Sequence, residues 1–119
     1  MSRTAVCVIL TTAPDSKTAA ELVERLVESR HAACGTILPG ATSIYRWEGA
    51  VQRESEVVVI LKTTADARAG LLRKAKQIHP YDVPELLVLP VEDGDADYLA
   101  WVARETAGGT PGEAVPKTG

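Results

Sequence analysis

Three short stretches of this sequence are apolar at odd and even positions alike, and this property limits how the chain can fold. They lie at residues 6–9, 57–60 and 86–89, and each has the length of a β-strand. Successive side chains of a strand point to opposite faces of a sheet, so a strand with one solvated face alternates between apolar and polar residues. These strands must therefore be covered on both faces, because soluble monomers rarely tolerate so large an exposed apolar patch.

Amphipathic segments separate these strands along the chain. Asp15 and Ser16 offer an N-cap for a first helix, in which apolar residues recur at helical spacing from residue 19 to 27. A second helix is predicted from about residue 66 to 78 and ends before Pro80. Residues 33–38 and 42–51 are predicted to be extended, with an interruption at 39–40, and residues 55–63 form the next strand. A short helix follows the last strand, after a cap at Asp95 or Asp97.

The order strand, helix, strand, strand, helix, strand, helix predicts an α+β domain with a ferredoxin-like βαββαβ antiparallel sheet. In this fold both main helices lie on one face, the first strand lies between the third and fourth, and the second strand is at the edge. A doubly wound parallel sheet is the alternative, which the direct strand-to-strand step after Leu38 disfavours. The short C-terminal helix could cover the second face, but it is too small for a whole sheet. We therefore expect another subunit to cover that face.

Composition excludes several classes of protein. The 119 residues carry 13 Lys and Arg against 16 Asp and Glu, and the net charge of −3 disfavours a nucleic-acid-binding role. No apolar run approaches the ~20 residues of a membrane span and no signal-like segment is present, so we expect a cytoplasmic protein. Cys7 and Cys34 are too few for a disulfide scaffold, and their strands are not neighbours in the predicted sheet. The folded domain is predicted at residues 1–106, followed by a disordered tail at 107–119, which is rich in glycine and contains two prolines.

Several segments together resemble the CutA family, which is named for divalent-cation tolerance. They are Ala33-Cys34, SIYRWEG at 43–49, Glu56 with Lys62-Thr63, HPYDVPE at 79–85 and YLAW at 98–101. The likeness covers nearly all of residues 5–103 and implies a compact homotrimer that binds copper and other divalent ions in metal-ion tolerance. It also implies a proposed signalling role, from the family's similarity to PII regulatory proteins, and no firm catalytic activity. The chain has Gly35-Thr36 after the cysteine, where the family usually has Val-Asn.

Metal ligation requires three or four converging imidazole, thiolate or carboxylate groups, and no CxxC or HxxxH spacing supplies them locally. A site must be assembled in space, for example between subunits, and the predicted ligands are His79, Cys34 and Glu85. The structural alternatives are a helix-terminal role for His79 and a buried apolar role for Cys34. Cys7 is expected in the core. The only cofactor expected is Cu²⁺ or another divalent cation, and none is required for folding.

The aromatic residues of the family segments suggest a ligand-binding cleft between subunits, although core packing would also explain them. The predicted cleft residues are Tyr45, Trp47, Glu56, Lys62, Tyr81 and Trp101. Glu56 and Lys62 lie six residues apart and so share one face of a strand, where an intersubunit salt bridge is the simpler alternative. The carboxylates of Glu48, Glu54 and Glu56 are expected on a charged, solvated surface.

No nucleophile elbow, Walker loop or dinucleotide-binding motif occurs, so the chain is not expected to be an enzyme. The first functional hypothesis is a trimeric divalent-cation (copper) binding protein of metal-ion tolerance. The second is a PII-like signalling protein or sensor that binds a small anionic ligand in the intersubunit cleft. The third is an interaction module whose trimer displays loops to a partner.

Overall fold

A computed structural model of the chain describes residues 5–106, where four strands and three helices follow one another in the predicted order. The strands are β1 (Val6–Ala13), β2 (Cys34–Trp47), β3 (Ala50–Thr64) and β4 (Leu87–Pro90). The helices are α1 (Ser16–Glu28), α2 (Arg68–Ile78) and α3 (Ala96–Glu105). The predicted tail at 107–119 lies outside the described residues, and its disorder stays a prediction. No helix within residues 5–106 is both long enough and apolar enough to span a membrane.

The sheet has the strand order β2-β3-β1-β4, and every pair of neighbours is antiparallel. The predicted position of the first strand, between the third and the fourth, is confirmed, as is the edge position of the second. The alternative of a doubly wound parallel sheet is wrong, because consecutive strands β2 and β3 pair directly as a hairpin. The chain is thus an α+β domain with a four-stranded antiparallel sheet.

Helices α1 and α2 cover one face of this sheet, which we call the helical face. Asp15 starts α1, because its side chain accepts a 2.7 Å hydrogen bond from the backbone N–H of Thr18. The apolar stripe of α1, with Leu22 and Leu26, then packs against Ile9 and Leu61 of the central strands. All four of these side chains are buried, so the helical face forms the dry core of the domain.

The opposite face, which we call the open face, is covered by residues 5–106 only at one end. Helix α3 packs there, with Val102 against Val6 and Ala33. The guanidinium of Arg30 holds the C-terminal end of α3 by donating hydrogen bonds to the carbonyls of Arg104 and Thr106. Farther along the same face the apolar residues are only partly buried or exposed; they are Val8, Leu10, Leu38, Val58, Ile60, Leu87 and Leu89.

The β2–β3 hairpin is longer than the sequence predicted. The expected extended segment at 42–51 is wrong at its end, because the chain turns at Glu48 and Gly49 and Val51 already belongs to β3. Both turn residues have positive φ, 50° and 81°, as a tight hairpin turn requires. The turn was missed because a glutamate stands where asparagine or aspartate usually marks such turns.

A β-bulge in β2 decides which side chains reach the open face. Leu38 is opposite Val58 and Ala41 is opposite Glu56, so three steps along β2 match two along β3. The extra residue lies beside Gly40, whose φ is +86°. It reverses the alternation, because the even-numbered residues 34–38 and the odd-numbered residues 41–47 share the open face. Within residues 42–51 the turn at Glu48 and Gly49 changes the alternation once more, because Trp47 and Ala50 are opposite each other and share a face.

Candidate functional site: an acidic aromatic cleft

A cleft of about 690 Å³ lies at the end of the open face away from α3. Its walls are the β2–β3 hairpin and the segment 79–85, which joins α2 to β4. The lining residues are Thr12, Ser43, Ile44, Tyr45, Trp47, Gln52, Glu54, Glu56, Tyr81, Asp82, Val83 and Glu85. The volume lies within the range of small-molecule sites in proteins.

His79 fixes the segment that forms one wall. Its imidazole is buried, and Nδ1 accepts a 3.1 Å hydrogen bond from the backbone N–H of Tyr81. Nε2 lies 2.8 Å from the carbonyl oxygen of Thr12 and must therefore be the protonated nitrogen, which donates. The Thr11 hydroxyl lies 3.3 Å from the same nitrogen. Both ring nitrogens are thus engaged in holding the loop against β1.

Glu56 forms the floor of the cleft with only 8% of its surface exposed. The hydroxyl of Tyr81 donates a 2.7 Å hydrogen bond to Oε2, and the hydroxyls of Ser43 and Thr12 also donate to this carboxylate. Burial alone would raise the pKa of Glu56, but the three hydrogen bonds, with a smaller electrostatic contribution from the neighbouring His79 ring, outweigh it and hold the pKa below its ordinary value. The carboxylate is therefore ionised at neutral pH, and the predicted solvated location of Glu56 is wrong.

The rest of the lining adds negative charge and aromatic surface. Glu54, Asp82 and Glu85 are exposed carboxylates of the cleft, and no lysine or arginine is among its lining residues. The hydroxyl of Tyr45 donates to Glu54, which raises the pKa of that phenol. This arrangement attracts cations and repels anions, so it disfavours the small anionic ligand expected from the sequence.

A second polar cluster lies at the α3 end of the open face. The Cys34 Sγ atom lies 3.5 Å from the Tyr98 hydroxyl, and the Lys62 amine donates a 2.9 Å hydrogen bond to the hydroxyl of Thr36. Burial, together with the contact to Cys34, raises the pKa of Tyr98 to about 12. The ring of Trp101 packs against Tyr98, with centroids 5.7 Å apart.

The structure therefore divides the predicted cleft residues between two places. Tyr45, Trp47, Glu56 and Tyr81 come together, and Glu85 lies beside them. Lys62 and Trp101 belong to the α3 end of the same chain. Six residues of extended strand separate Glu56 from Lys62, a span of roughly 20 Å, so the two do not form an ion pair within one subunit.

The predicted metal ligands are likewise separated within one chain. Cys34 is at the α3 end, whereas His79 and Glu85 belong to the cleft end, and no three histidine, cysteine, aspartate or glutamate side chains within residues 5–106 converge on a common point. Cys7 is buried on the helical face, and both cysteines are free thiols, as predicted. A site with all three predicted ligands therefore needs groups from more than one subunit.

Sequence reasoning missed several members of the cleft, among them Thr12, Ser43 and Gln52. Thr12 closes an apolar strand and carries no chemical motif. Ser43 and Gln52 reach the cleft because of the bulge and the hairpin register. The only sequence signal for the bulge was the Pro39-Gly40 pair inside an otherwise extended segment.

Comparison with known proteins gives consistent matches. The family model described as CutA1 divalent ion tolerance protein matches residues 7–105. The divalent-cation tolerance protein CutA of Escherichia coli O139:H28 is 52% identical over 101 residues, which are 85% of this chain and 90% of that protein. The CutA protein of Shigella boydii serotype 18 matches with the same identity and coverage.

Solved structures share the fold of this chain. The divalent cation tolerance protein of Thermus thermophilus aligns with a TM-score of 0.83 and 42% identity, over 86% of this chain and 99% of that one. The CutA protein of Archaeoglobus fulgidus, described as periplasmic, aligns with a TM-score of 0.81 and 31% identity, over 84% and 97% of the two chains. From the family model and these relatives, the chain belongs to the CutA1 divalent ion tolerance protein family.

Proposed function

We propose that this protein binds divalent cations in metal-ion tolerance and acts as a non-catalytic homotrimer. The observation that carries the proposal is the charge of the cleft, which presents four carboxylates and no lysine or arginine among its lining residues. Such a surface concentrates cations by Coulombic attraction. The relatives in Escherichia coli and Shigella boydii are named for divalent-cation tolerance, and this name agrees with a cation-attracting site.

The homotrimer is supported by the uncovered part of the open face. Leu38, Leu87 and Leu89 are 48%, 55% and 47% exposed, and they continue a row of partly buried apolar residues on β1 and β3. A ferredoxin-like subunit with such a face gains stability when copies of itself cover it. The unpaired edges of β2 and β4 offer backbone groups for pairing between subunits.

The proposed metal ligands are Cys34, His79 and Glu85, contributed by more than one subunit. Thiolate, imidazole and carboxylate together suit copper(II) and other transition metals. Cys34 and Glu85 are the stronger candidates, because ligation by His79 requires its ring to give up one of two hydrogen bonds. We place the protein in the cytoplasm as part of the same proposal.

Titration of the reduced full-length protein with Cu²⁺ against a competing chelator tests the metal site, with Zn²⁺ and Mg²⁺ in parallel. We expect a fixed ratio of copper to trimer that survives the chelator, and we expect Cys34→Ser and Glu85→Gln to weaken it by at least about tenfold. Glu24→Gln, an exposed carboxylate on α1, is the matched control. Copper that is stripped by the chelator from every variant alike would contradict the metal site.

Sedimentation velocity tests the assembly. We expect the full-length protein to sediment as a single trimeric species at micromolar concentration, because the open face then loses its contact with water. A monomer over the whole concentration range would contradict the homotrimer without bearing on copper affinity.

A further inference from the structure

The carboxylate of Glu56 is a buried charge, and within residues 5–106 the imidazole of His79 is the side chain whose positive charge would favour its ionised form. It is 8% exposed, and the groups that bond it are the neutral hydroxyls of Tyr81, Ser43 and Thr12. No lysine or arginine of residues 5–106 forms an ion pair with it. Buried charges in proteins are normally paired, because removing an ion from water is costly. The cleft above Glu56 is the route by which a positive charge from solution could reach it.

The walls of the cleft favour a cation of a particular kind. Tyr45, Trp47 and Tyr81 present aromatic rings, whose faces attract an ammonium or guanidinium group and also accept an aliphatic stem. Glu54 and Asp82 add carboxylate oxygens that can accept N–H hydrogen bonds. A ligand with a spread positive charge, N–H donors and some apolar surface therefore matches each part of the lining.

A bare metal ion matches the inner cleft less well. No three potential metal ligands converge within residues 5–106, and the oxygens of Glu56 already accept hydrogen bonds from three hydroxyl groups. Aromatic rings do not ligate divalent ions, whereas they surround organic cations in many proteins. The aromatic part of the lining is thus unexplained by metal binding.

We propose that the cleft binds a small organic cation, an ammonium or guanidinium group on an aliphatic stem, with its charge against Glu56 and its stem along the aromatic rings. This inference goes beyond the proposed function, because it needs no metal and uses the inner cleft rather than Cys34. A cleft of about 690 Å³ has room for a diamine-sized ligand.

Isothermal titration calorimetry of the full-length protein tests the ligand class. The probes are agmatine and putrescine, with 1,4-butanediol as a neutral control of similar shape and succinate as an anionic control. We expect saturable binding of one or both cations, weakened by added salt, and no binding of the diol or of succinate. Equal binding of putrescine and butanediol, or no binding of any probe at millimolar concentration, would overturn the proposal.

Tryptophan fluorescence locates the bound probe. The chain has two tryptophans, and only Trp47 lines the cleft, so Trp101→Phe leaves one reporter at the site. We expect the cations to change the Trp47 emission with the same affinity that calorimetry gives. A calorimetric signal without any change at Trp47 would place the cation elsewhere and reject the cleft.

Charge variants test the role of the buried carboxylate. We expect Glu56→Gln to weaken cation binding at least about tenfold, since it removes one charge-assisted interaction, whereas Glu24→Gln leaves it unchanged. If Glu56→Gln fails to fold, Glu54→Gln and Trp47→Leu at the exposed rim must weaken binding instead. The proposal is wrong if the rim variants bind the cations with wild-type affinity. It is also wrong if Glu56→Gln causes the subunits to dissociate without weakening cation binding, because the cleft residues would then serve subunit assembly.

The same variants separate this inference from the metal proposal. We expect Cu²⁺ affinity to follow Cys34→Ser and Glu85→Gln, and organic-cation affinity to follow Glu56→Gln. Loss of one binding activity with retention of the other identifies which proposal fails.

Discussion

The two faces of the sheet differ in how deeply their apolar side chains are buried. On the helical face Ile9 and Leu61 are fully buried under two helices, in a cluster of apolar side chains. On the open face Leu87 and Leu89 are about half exposed, and a charged cleft occupies one end. The difference shows that the helical face stabilises the subunit by itself, whereas the open face keeps apolar and charged surface that we assign to a partner subunit and to ligands in our proposals.

The largest effect is expected from a matched pair of leucine truncations on the two faces. Leu61→Ala should lower the free energy of unfolding by about 3 kcal/mol, because it opens a cavity in a closed core. Leu89→Ala should cost less than about 1 kcal/mol in a dissociated subunit, because this side chain is half exposed there. Urea denaturation at low protein concentration compares them. Equal losses of unfolding free energy in the two variants would show that the packing of α1 and α2 does not make the helical face more important for stability than the open face.

A second pair compares the two ends of the open face. Tyr81→Phe removes a 2.7 Å hydrogen bond to the ionised Glu56 and should cost about 2 kcal/mol. Tyr98→Phe removes a 3.5 Å contact to the Cys34 thiol and should cost less than about 0.5 kcal/mol, as sulfur is a weak hydrogen-bonding group. Thermal denaturation of both variants checks the order. A larger loss for Tyr98→Phe would contradict our description of the cleft floor.

Neighbouring residues of β2 give a third pair, because Gly35 faces the helices and Thr36 faces the open side. A Cβ atom at Gly35 would lie 2.8 Å from a methyl group of Val23 and 2.9 Å from one of Leu61. Gly35→Ala should therefore cost about 1–2 kcal/mol through overpacking. Thr36→Ala loses only the acceptor of the Lys62 amine, and its cost should be a few tenths of a kcal/mol. A stable Gly35→Ala variant would mean that α1 can move away from β2.

The smallest expected change in the free energy of unfolding at neutral pH comes from Glu56, whose contribution depends on pH. Its loss in acid is the most specific test of the cleft. Its pKa in the folded protein lies below the ordinary value of 4.5, so ionised Glu56 stabilises the fold above that pH. The stabilisation is lost as the pH falls from about 4.5 through the lower folded pKa. Glu56→Gln should flatten this part of the stability profile measured by denaturation, whereas Glu24→Gln should not. An unchanged profile would mean that the pKa of Glu56 is the same in the folded and unfolded states, and it would contradict a carboxylate stabilised by the cleft.

Much of the architecture followed from local patterns in the sequence. Asp15 marked the start of α1, Pro80 lay just beyond the end of α2, and doubly apolar strands predicted a sheet with an uncovered second face. The boundary of the β2–β3 hairpin did not follow, because Glu48 stands before Gly49 where asparagine or aspartate usually marks such a turn. The position of β1 between β3 and β4, with β2 at the sheet edge, followed from the order of elements and agrees with the structure.

The cleft could be predicted only in part. Within one chain the structure brings together Tyr45, Trp47, Glu56 and Tyr81, whereas Lys62 and Trp101 lie at the α3 end. A cleft between subunits that contains all six residues stays a prediction. Glu56 and Lys62 lie on the same face of β3, and no local sequence pattern shows that the cleft includes Glu56 and not Lys62. The sequence also could not distinguish a solvated Glu56 from a buried one, since burial depends on where the segment 79–85 crosses the sheet.

The sequence by itself determined the helices, the order of the strands and the surplus of apolar surface, because these depend on periodicities of two and of 3.6 residues. Only the tertiary structure decided the sign and shape of the cleft. One bulged residue beside Gly40 sets which side chains of β2 face it, and His79 fixes the loop whose Tyr81 buries Glu56. Both depend on register and on contacts between residues far apart in the chain, and a local pattern does not encode them.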